Sequence, residues 1–286
     1  MVTVLSYNLA NYDHHHSWER RLPLLVEAIR QSQADVIALT EVRYNPVNAF
    51  NAICDQYWQT HFPGESPPPN CSQTDTGDQV LYMLQHDPRY RDATIYTEKA
   101  LAPAPPPNTY EGLSIISRLP ILSQNYITLK RAGSDANTRL AQWVEVQTPG
   151  GSTLWVYNTH FALDETGRMS NAQEALAQMH ANLGGYCCLV GDLNGTPDEQ
   201  GLQTLAQAGL VDVWAQARPN EPGYTYPSWG PDQRIDYCWA SLSLAPLVGE
   251  VRLVPTRIDG DVIAGPDGGV LYTSDHIGLV TTFNVP

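Results

Sequence analysis

Charged side chains are scarce in this chain, and basic ones are the scarcest. Only 16% of the 286 residues are charged, and 16 Lys and Arg residues oppose 30 Asp and Glu residues, which gives a net charge of −14. With 42% hydrophobic residues, this composition is typical of a folded globular protein and excludes a disordered chain. A pI near 4.8 argues against a protein that coats polyanions, although it leaves room for a local basic groove.

Long hydrophobic runs are absent as well. No segment approaches the ~20 apolar residues of a membrane-spanning helix, so we expect no transmembrane segment. Met1 leads directly into the apolar run 2–7, without the basic region or the cleavage site of a signal peptide. We therefore expect a cytoplasmic protein if this is the whole chain, and a secreted or periplasmic one if a leader has been removed.

Cysteines are few, and their number is odd. Five cysteines without paired spacing exclude a disulfide framework as the organising principle of the fold. Cys187, Cys188 and Cys238 lie in apolar runs, where a free cysteine behaves as a small buried hydrophobe. Cys54 and Cys71 flank a loop and can pair in an oxidising compartment, a question that the sequence leaves open.

Short apolar runs, rich in β-branched and aromatic residues, indicate strands, and a few segments with helical spacing indicate helices. The predicted strands cover residues 2–7, 35–39, 79–84, 113–117, 140–146, 153–158, 186–190, 235–240, 250–254 and 278–283. Helices are predicted over residues 22–31 and 168–183, and a third is predicted to start at Thr196 with a capping-box Glu199. Because similar strands flank the proline-rich segments near 63–70 and 102–108, we predict a single domain over residues 1–286 with surface loops at those prolines.

Polar side chains are concentrated where these predicted strands begin or end. The group consists of Asn8, Glu41, His160, Asp192, Asn194, Asp236, Asp275 and His276. Each residue alone is weak evidence, because an isolated Asp in a turn usually caps a backbone N–H group. Together they predict a functional site at one rim of a sheet, where binding and catalytic residues are common.

The segments that carry these residues match a known family in their order along nearly the whole chain. They are Ser6-Tyr7-Asn8, Thr40-Glu41-Val42, Gly112-Leu113-Ser114-Ile115-Ile116-Ser117-Arg118, Asn158-Thr159-His160-Phe161, Gly191-Asp192-Leu193-Asn194, Arg234-Ile235-Asp236-Tyr237 and Ser274-Asp275-His276. In this combination the sequence resembles the endonuclease/exonuclease/phosphatase superfamily. That superfamily includes DNase I-like nucleases, abasic-site endonucleases, deadenylases, neutral sphingomyelinases and inositol-polyphosphate phosphatases.

The resemblance implies an α+β fold, the four-layer α/β/β/α sandwich of DNase I, in which two mostly antiparallel central sheets are flanked by helices. It also implies a divalent metal, with Glu41 as the principal ligand and Asn8 and Asp275 as further ligands. Hard oxygen donors of this kind suit Mg²⁺ or Mn²⁺ better than zinc.

The resemblance further implies the catalytic roles. His276 is similar to the catalytic histidine of the family and would be oriented by Asp236, a general acid–base arrangement. Asp192 would orient or deprotonate the attacking water. Asn194 and His160 would donate hydrogen bonds to the phosphoryl oxygens, where negative charge develops.

Candidates for substrate binding are less specific. Arg43, Arg139 and Arg168 are candidate ligands of a substrate phosphate, although a solvated arginine at a helix start fits Arg168 equally well. Tyr226 and Trp229 lie in a loop just before Asp236 and either hold the organic part of a substrate or pack within the loop.

The sequence therefore predicts a metal-dependent hydrolase of a small-molecule or lipid phosphoester, which acts by metal- and histidine-assisted attack of water on phosphorus. A DNase I-like nuclease is the alternative, since nucleic acid is a possible substrate that the charge does not favour. His160 in place of the Tyr of abasic-site enzymes weakens a DNA-repair reading. A silent scaffold is disfavoured because all eight site residues are present, and a zinc phosphoesterase is disfavoured because spaced histidine pairs are absent. We expect a monomer.

Overall fold

The computed structural model describes residues 1–10, 18–44, 75–101, 110–254 and 272–286. The proline-rich segments near 63–70 and 102–108 and the candidate pair Cys54 and Cys71 lie outside these residues, so the predictions about them stay untested. None of the helices in the described ranges is long and apolar enough to cross a membrane.

Twelve strands in the described residues form two six-stranded sheets. Sheet A has the order β11 (Val248–Leu253), β12 (Leu279–Phe283), β1 (Val2–Asn8), β2 (Val36–Tyr44), β4 (Tyr110–Ser117) and β3 (Thr94–Leu101). Sheet B has the order β5 (Ile121–Thr128), β6 (Leu140–Gln147), β7 (Thr153–His160), β8 (Cys187–Asp192), β10 (Asp236–Ala240) and β9 (Val211–Asp212). Each sheet has one parallel pair, β1–β2 in sheet A and β7–β8 in sheet B, and is otherwise antiparallel.

Helices connect and cover the sheets. In the described residues they are α1 (Trp18–Ser32), α2 (Thr76–Leu84), α3 (Glu165–Met179), α4 (Gln200–Gln207) and α5 (Val213–Ala217). Helix α1 connects the parallel strands β1 and β2, and helix α3 connects the parallel strands β7 and β8. Parallel neighbours need a long crossover connection of this kind.

Two predictions of local structure were wrong. The run 79–84, predicted as a strand, is the greater part of α2. Asp75 caps the N-terminus of this helix, because its side chain accepts a hydrogen bond from the backbone N–H of Asp78 at 2.8 Å. A short apolar run does not distinguish a strand from a buried helix. The helix predicted to start at Thr196 begins at Gln200 instead, because Glu199 accepts a hydrogen bond from the Thr196 N–H in a preceding turn.

Three hydrophobic clusters define four layers. The central cluster contains Val2, Val4 and Val36 from sheet A together with Val156 and Val190 from sheet B, so the two sheets pack face to face. A second cluster joins the outer face of sheet A to α1 and α2, and a third joins the outer face of sheet B to α3 and α4. The α/β/β/α sandwich is thereby confirmed, and so is the burial of Cys187, Cys188 and Cys238.

The alternation of side chains along the strands explains where the polar residues lie. On β1, Val2 and Val4 face the other sheet, and a period of two residues places Asn8 on the same face at the strand end. Asp192 follows Cys188 and Val190 on the inner face of β8 in the same way. The polar residues therefore occupy the last inner positions of strands whose deeper inner positions are apolar.

Gly191 permits the close approach of β7 and β8 beside this rim. Its φ is +137°, and an added Cβ atom would lie 1.9 Å from the carbonyl oxygen of Thr159. Neither the space nor the backbone conformation accommodates a larger residue.

We expect Gly191→Ala to lower the free energy of unfolding by at least about 2 kcal/mol, because overpacking and an alanine at positive φ both destabilise. Chemical denaturation measures the change. Gly184→Ala is the control, since an added Cβ there meets nothing within 4 Å. Equal stability of the two variants would contradict the close contact.

Candidate active site

Strand register brings the predicted site residues of sheet B together. Asp192 at the end of β8 is paired with His160 on β7 and with Asp236 on β10. All three side chains are buried, and the His160 Nε2 atom lies 3.4 Å from Asp192 Oδ2. Asn8 reaches them from sheet A, because its Nδ2 donates a hydrogen bond to the same Asp192 oxygen at 3.0 Å.

Glu41 is aimed at this group by an irregularity in β2. The register between β2 and β4 shifts between Leu39 and Val42, and Glu41 adopts a φ of +55°. Bulges of this kind redirect a side chain, and a non-glycine residue at positive φ is typical of functional sites. The Asn8 Nδ2 atom also donates to Glu41 Oε1 at 3.1 Å, so one amide links Glu41 to Asp192.

His276 and Asp236 form a buried hydrogen-bonded pair. The Nδ1 atom of His276 lies 2.9 Å from Asp236 Oδ2, which leaves Nε2 directed toward Asp192 Oδ2 at 3.6 Å. The hydroxyl oxygen of Thr225 accepts from the backbone N–H of Asp236 at 3.2 Å. The ring of Tyr226 packs against the His276 ring with a centroid distance of 4.9 Å.

Asn194 completes the rim after β8. Its φ is +52°, its backbone N–H donates to Asp192 Oδ1 at 2.9 Å, and its Nδ2 donates to the Phe161 carbonyl at 2.9 Å. These bonds hold the carboxylate of Asp192 and join the segment after β8 to the segment after β7.

The amide of Asn8 is oriented with its nitrogen toward the acidic groups. Its oxygen Oδ1 accepts a hydrogen bond from the Ala10 N–H at 2.9 Å. The Asn8 amide thereby orients Glu41 and Asp192. Its predicted role as a metal ligand, which would use the oxygen Oδ1, stays a prediction.

Several carboxylates surround one space at this rim. Burial raises the pKa of the Tyr226 hydroxyl, and the negative charges of Asp275, Asp192 and Glu41 raise it further, so all three charges act on the same phenol. A divalent cation with oxygen ligands fits such a cluster. Ligand atoms of Asp192, Asp236 and His276 also lie within 4.8 Å of one another, which is close enough to hold one cation, and His276 is in addition hydrogen-bonded to Asp236.

The electrostatic environment separates the ionisation states of the buried groups. Burial, together with Asp236 and Glu41, raises the pKa of Asp192 to about 7 against the opposing effects of His276 and the Asn194 N–H. Burial opposes the charge of His276, yet Asp236 and Asp192 outweigh it and raise its pKa to about 10.

The pKa of His160 is shifted in the opposite direction from that of His276. Burial and then the positive charges of Arg139 and His276 hold the pKa of His160 well below its usual range. The surroundings of the site therefore favour a charged His276 and a neutral His160, and they oppose the ionisation of Asp192.

Arg21 was missed by the sequence reasoning. It lies on α1, is buried, and donates to the carbonyl oxygens of Leu9, Ala10 and Thr273 at 2.6 to 3.0 Å. It thereby joins the segment after Asn8 to the segment before Ser274, whose hydroxyl donates to the Asn8 carbonyl at 2.7 Å. An arginine on an amphipathic helix carries no sequence signal for this role, because surface helices commonly contain one.

The basic substrate-binding candidates are buried and paired with acidic groups. Arg43 lies 3.1 Å from Glu111, and Arg139 lies 3.0 Å from Asp135. Arg168 pairs with Glu199 and also donates to the carbonyl oxygens of Ala162 and Leu163, so its side chain joins α3 to the loops around it.

The aromatic candidates differ in exposure. Tyr226 lies partly buried against His276, whereas Trp229 is 54% exposed, with the ring of Tyr272 at 6.2 Å. Tyr272 was not singled out from the sequence. Trp239 on β10 is buried.

Comparison with known proteins agrees with this geometry. The model of the Endonuclease/Exonuclease/phosphatase family matches residues 5–276 of the chain. The comparison with curated proteins gives no match.

Solved structures of the same fold span the whole chain at low sequence identity. A family protein from Leptotrichia buccalis is 19% identical, with 100% of both chains covered and a TM-score of 0.69. The mannosyl-6-phosphatase Bt3783 of Bacteroides thetaiotaomicron is 15% identical, with 100% of both chains covered and a TM-score of 0.67. The human Nocturnin catalytic domain with bound sulfate is 19% identical, with 99% of this chain and 93% of that chain covered and a TM-score of 0.63.

Proposed function

Because the chain belongs to the Endonuclease/Exonuclease/phosphatase family, whose members hydrolyse phosphoesters, we propose that it is a divalent-metal-dependent hydrolase of a small or lipid phosphoester. One observation carries this proposal. Asn8 of sheet A joins Glu41 and Asp192 through a single amide, and His276 with its partner Asp236 lies against the same carboxylate.

The metal site of this proposal consists of Glu41, Asn8 and Asp275, with Glu41 as the principal ligand. When bound, Mg²⁺ or Mn²⁺ would polarise a phosphoryl oxygen and offset the negative charge that develops there. Asp275 is half-buried beside His276 and accepts from the Ser274 hydroxyl at 3.4 Å. Its place in the chain next to His276 connects the proposed metal ligand to the proposed acid–base group.

Asp192 is the proposed group that activates water. A general base works best when its pKa lies near the operating pH, and the pKa of Asp192 is raised to about 7 by burial and its acidic neighbours. The N–H of Asn194 and the amide of Asn8 each donate to one of its oxygens, which fixes the direction in which the carboxylate can accept a proton.

The two histidines are the proposed donors to the phosphoryl group. Asp236 accepts from Nδ1 of the charged His276, so Nε2 carries a proton that can be donated to a phosphoryl oxygen or a leaving group. His160 is neutral and has one N–H to offer. Together with the proposed metal, these donors suffice to neutralise one phosphate group.

The burial and pairing of arginines at the rim support a small substrate. Arg43, Arg168 and Arg234 are all buried, and each lies within 4 Å of an acidic group. Duplex DNA needs many exposed cations along its phosphates, whereas a single phosphate group does not. The exposed Trp229 and the partly buried Tyr226 are the proposed contacts to the organic part.

The proposal is tested by a panel of substrates assayed with Mg²⁺, with Mn²⁺ and with EDTA. The panel comprises plasmid DNA, RNA, sphingomyelin, inositol phosphates and a chromogenic phosphodiester. We expect hydrolysis of at least one phosphoester that stops in EDTA and returns with either metal. Hydrolysis that persists in EDTA would remove the metal from the proposal.

The salt dependence of DNA cleavage distinguishes our proposal from the alternative, a DNase I-like nuclease. For a hydrolase of small phosphoesters, we expect the nicking of plasmid DNA to be weak and its rate to change less than about tenfold between ~50 and ~200 mM salt, because few cations are available for phosphates. An enzyme that contacts six or more DNA phosphates loses about 10³-fold in DNA affinity over the same range of salt concentration. A small chromogenic diester is the control, and rapid DNA cleavage that collapses with salt while this diester is ignored would favour the nuclease.

A further inference from the structure

A small cavity lies at the same rim as His160, between the connection from β5 to β6 and the start of α3. It is a shallow cavity that is partly open to solvent, and Arg131, Asn137, Arg139 and Ala162 contribute to its wall. Ala141 on β6 is paired with Thr159 on β7. Arg139 and Ala162 therefore leave the sheet side by side, next to His160.

Arg139 is held in this wall with unused hydrogen-bond donors. Its side chain is 7% exposed, and its Nε donates to Asp135 Oδ2 at 3.0 Å. Among the residues that the structure describes, the terminal amino groups of Arg139 have no hydrogen-bond partner, and neither is sealed from solvent. Because these donors are held in place and reach solvent, an oxyanion that enters the cavity can replace water as their acceptor.

Asp135 holds the guanidinium in position. Its Oδ1 accepts from the backbone N–H and the amide of Asn137 at 2.9 and 2.8 Å, and its Oδ2 accepts from Arg139 and from the Leu163 N–H. Four donors thus fix the position of this carboxylate, and with it the position of the Arg139 guanidinium. The bond from Leu163 also joins the cavity wall to the segment that follows His160.

The charge of the cavity is positive in a chain that is acidic overall. Arg131 is exposed and donates from Nε to the Asp135 carbonyl at 3.3 Å. Lys130 also lines the cavity, but it is 82% exposed and its Nζ lies 3.6 Å from Glu174. The charge of Arg139 reaches the reacting residues as well, since it contributes to the lowered pKa of His160.

We propose that this cavity binds a second oxyanion of the substrate, a phosphate or carboxylate group separate from the phosphoester that is hydrolysed. The planar fork of an arginine matches such a group in two parallel hydrogen bonds. The inference rests on the proposed function and deepens it, because it identifies the preferred substrates as phosphoesters that carry another anionic group.

The first test measures anion binding without catalysis. Sulfate is titrated into EDTA-treated protein and the melting temperature is compared with that in sodium chloride of equal ionic strength, because sulfate also stabilises proteins by exclusion from their surface. We expect sulfate to stabilise the wild type and the control Arg91→Gln, which loses one exposed charge, more than it stabilises Arg139→Gln. Arg139→Lys serves as the second variant. Its single ammonium group can keep the ion pair with Asp135, but it cannot make two parallel hydrogen bonds to an oxyanion.

The second test measures preference in the metal-loaded enzyme. Two matched pairs compete with hydrolysis of bis(p-nitrophenyl) phosphate: fructose 6-phosphate with fructose 1,6-bisphosphate, and glycerol 3-phosphate with 3-phosphoglycerate. In the wild type, the inhibition constant should be about tenfold lower for the member with a second anionic group in at least one pair. This preference should disappear in Arg139→Lys. A preference within the fructose pair indicates that the cavity binds a phosphate, and a preference within the glycerol pair indicates that it binds a carboxylate.

Equal sulfate responses in the wild type and both Arg139 variants would overturn the proposal, and so would an unchanged preference in Arg139→Lys. If the chain hydrolyses no phosphoester, the proposed function fails while the sulfate titration still decides whether the cavity binds an anion.

Discussion

Glu41→Gln is expected to lower the rate of phosphoester hydrolysis at least about 10²-fold and to remove the stabilisation of the protein by Mg²⁺. The amide retains the shape of the side chain but loses the negative charge that a hard cation requires. Because a ligand that binds only the folded state raises its stability, the rise in melting temperature on addition of Mg²⁺ measures metal binding independently of activity.

The same substitution should leave the metal-free protein as stable as the wild type or more stable. Glu41 lies among other carboxylates, and its charge is one of the causes that raise the pKa of Asp192, so its removal relieves repulsion. Glu145→Gln is the control, since Glu145 lies on β6 away from the site and accepts from the Ser123 hydroxyl at 3.0 Å. A normal rate and a normal Mg²⁺ response in Glu41→Gln would remove Glu41 from the metal site.

His276→Ala and Asp236→Asn are each expected to lower turnover at least about 10²-fold, as is usual for a general acid–base group. The two side chains share a hydrogen bond of 2.9 Å, and Asp236 supports the charged form of His276. Once the imidazole is absent, Asp236 has little left to orient. The double variant should therefore resemble the more damaging single variant, well short of the product of the two losses.

The measurement is a double-mutant cycle in kcat at saturating substrate and metal. A matched cycle combines Asp236→Asn with His180→Ala, because His180 is exposed at the end of α3 and should have no effect of its own. Losses that multiply in the His276 cycle would show that the two residues act independently.

The central strands were predictable, whereas three of the four edge strands in the described residues were not. Nine of the ten predicted strands occur in the structure, because strands that are buried on both faces have apolar runs. The missed strands β3, β5 and β9 all lie at sheet edges, and β3 and β5 are mostly exposed or half-buried. An edge strand gains its structure from its neighbour and needs no apolar run of its own.

The substrate-binding candidates show a further limit of sequence reasoning. Arg43, Arg139 and Arg168 are the same residue type, yet their acidic partners lie 68, 4 and 31 residues away in the chain, respectively. Whether an arginine is engaged or retains donors depends on these partners. Only the folded arrangement distinguishes Arg168, whose guanidinium is surrounded by carbonyls and Glu199, from Arg139, whose terminal donors face a cavity.

The order of short motifs along the chain was enough to predict the family and, through that resemblance, the layered α/β/β/α fold. Period-two alternation was enough to place polar residues at the ends of strands. How these residues meet depends on the folded chain. Asn8 contacts Asp192 across 184 positions, and Glu41 reaches the same amide only through the irregularity in β2. Such contacts depend on how two sheets pack and on a local shift in register, and neither leaves a pattern in a single stretch of sequence.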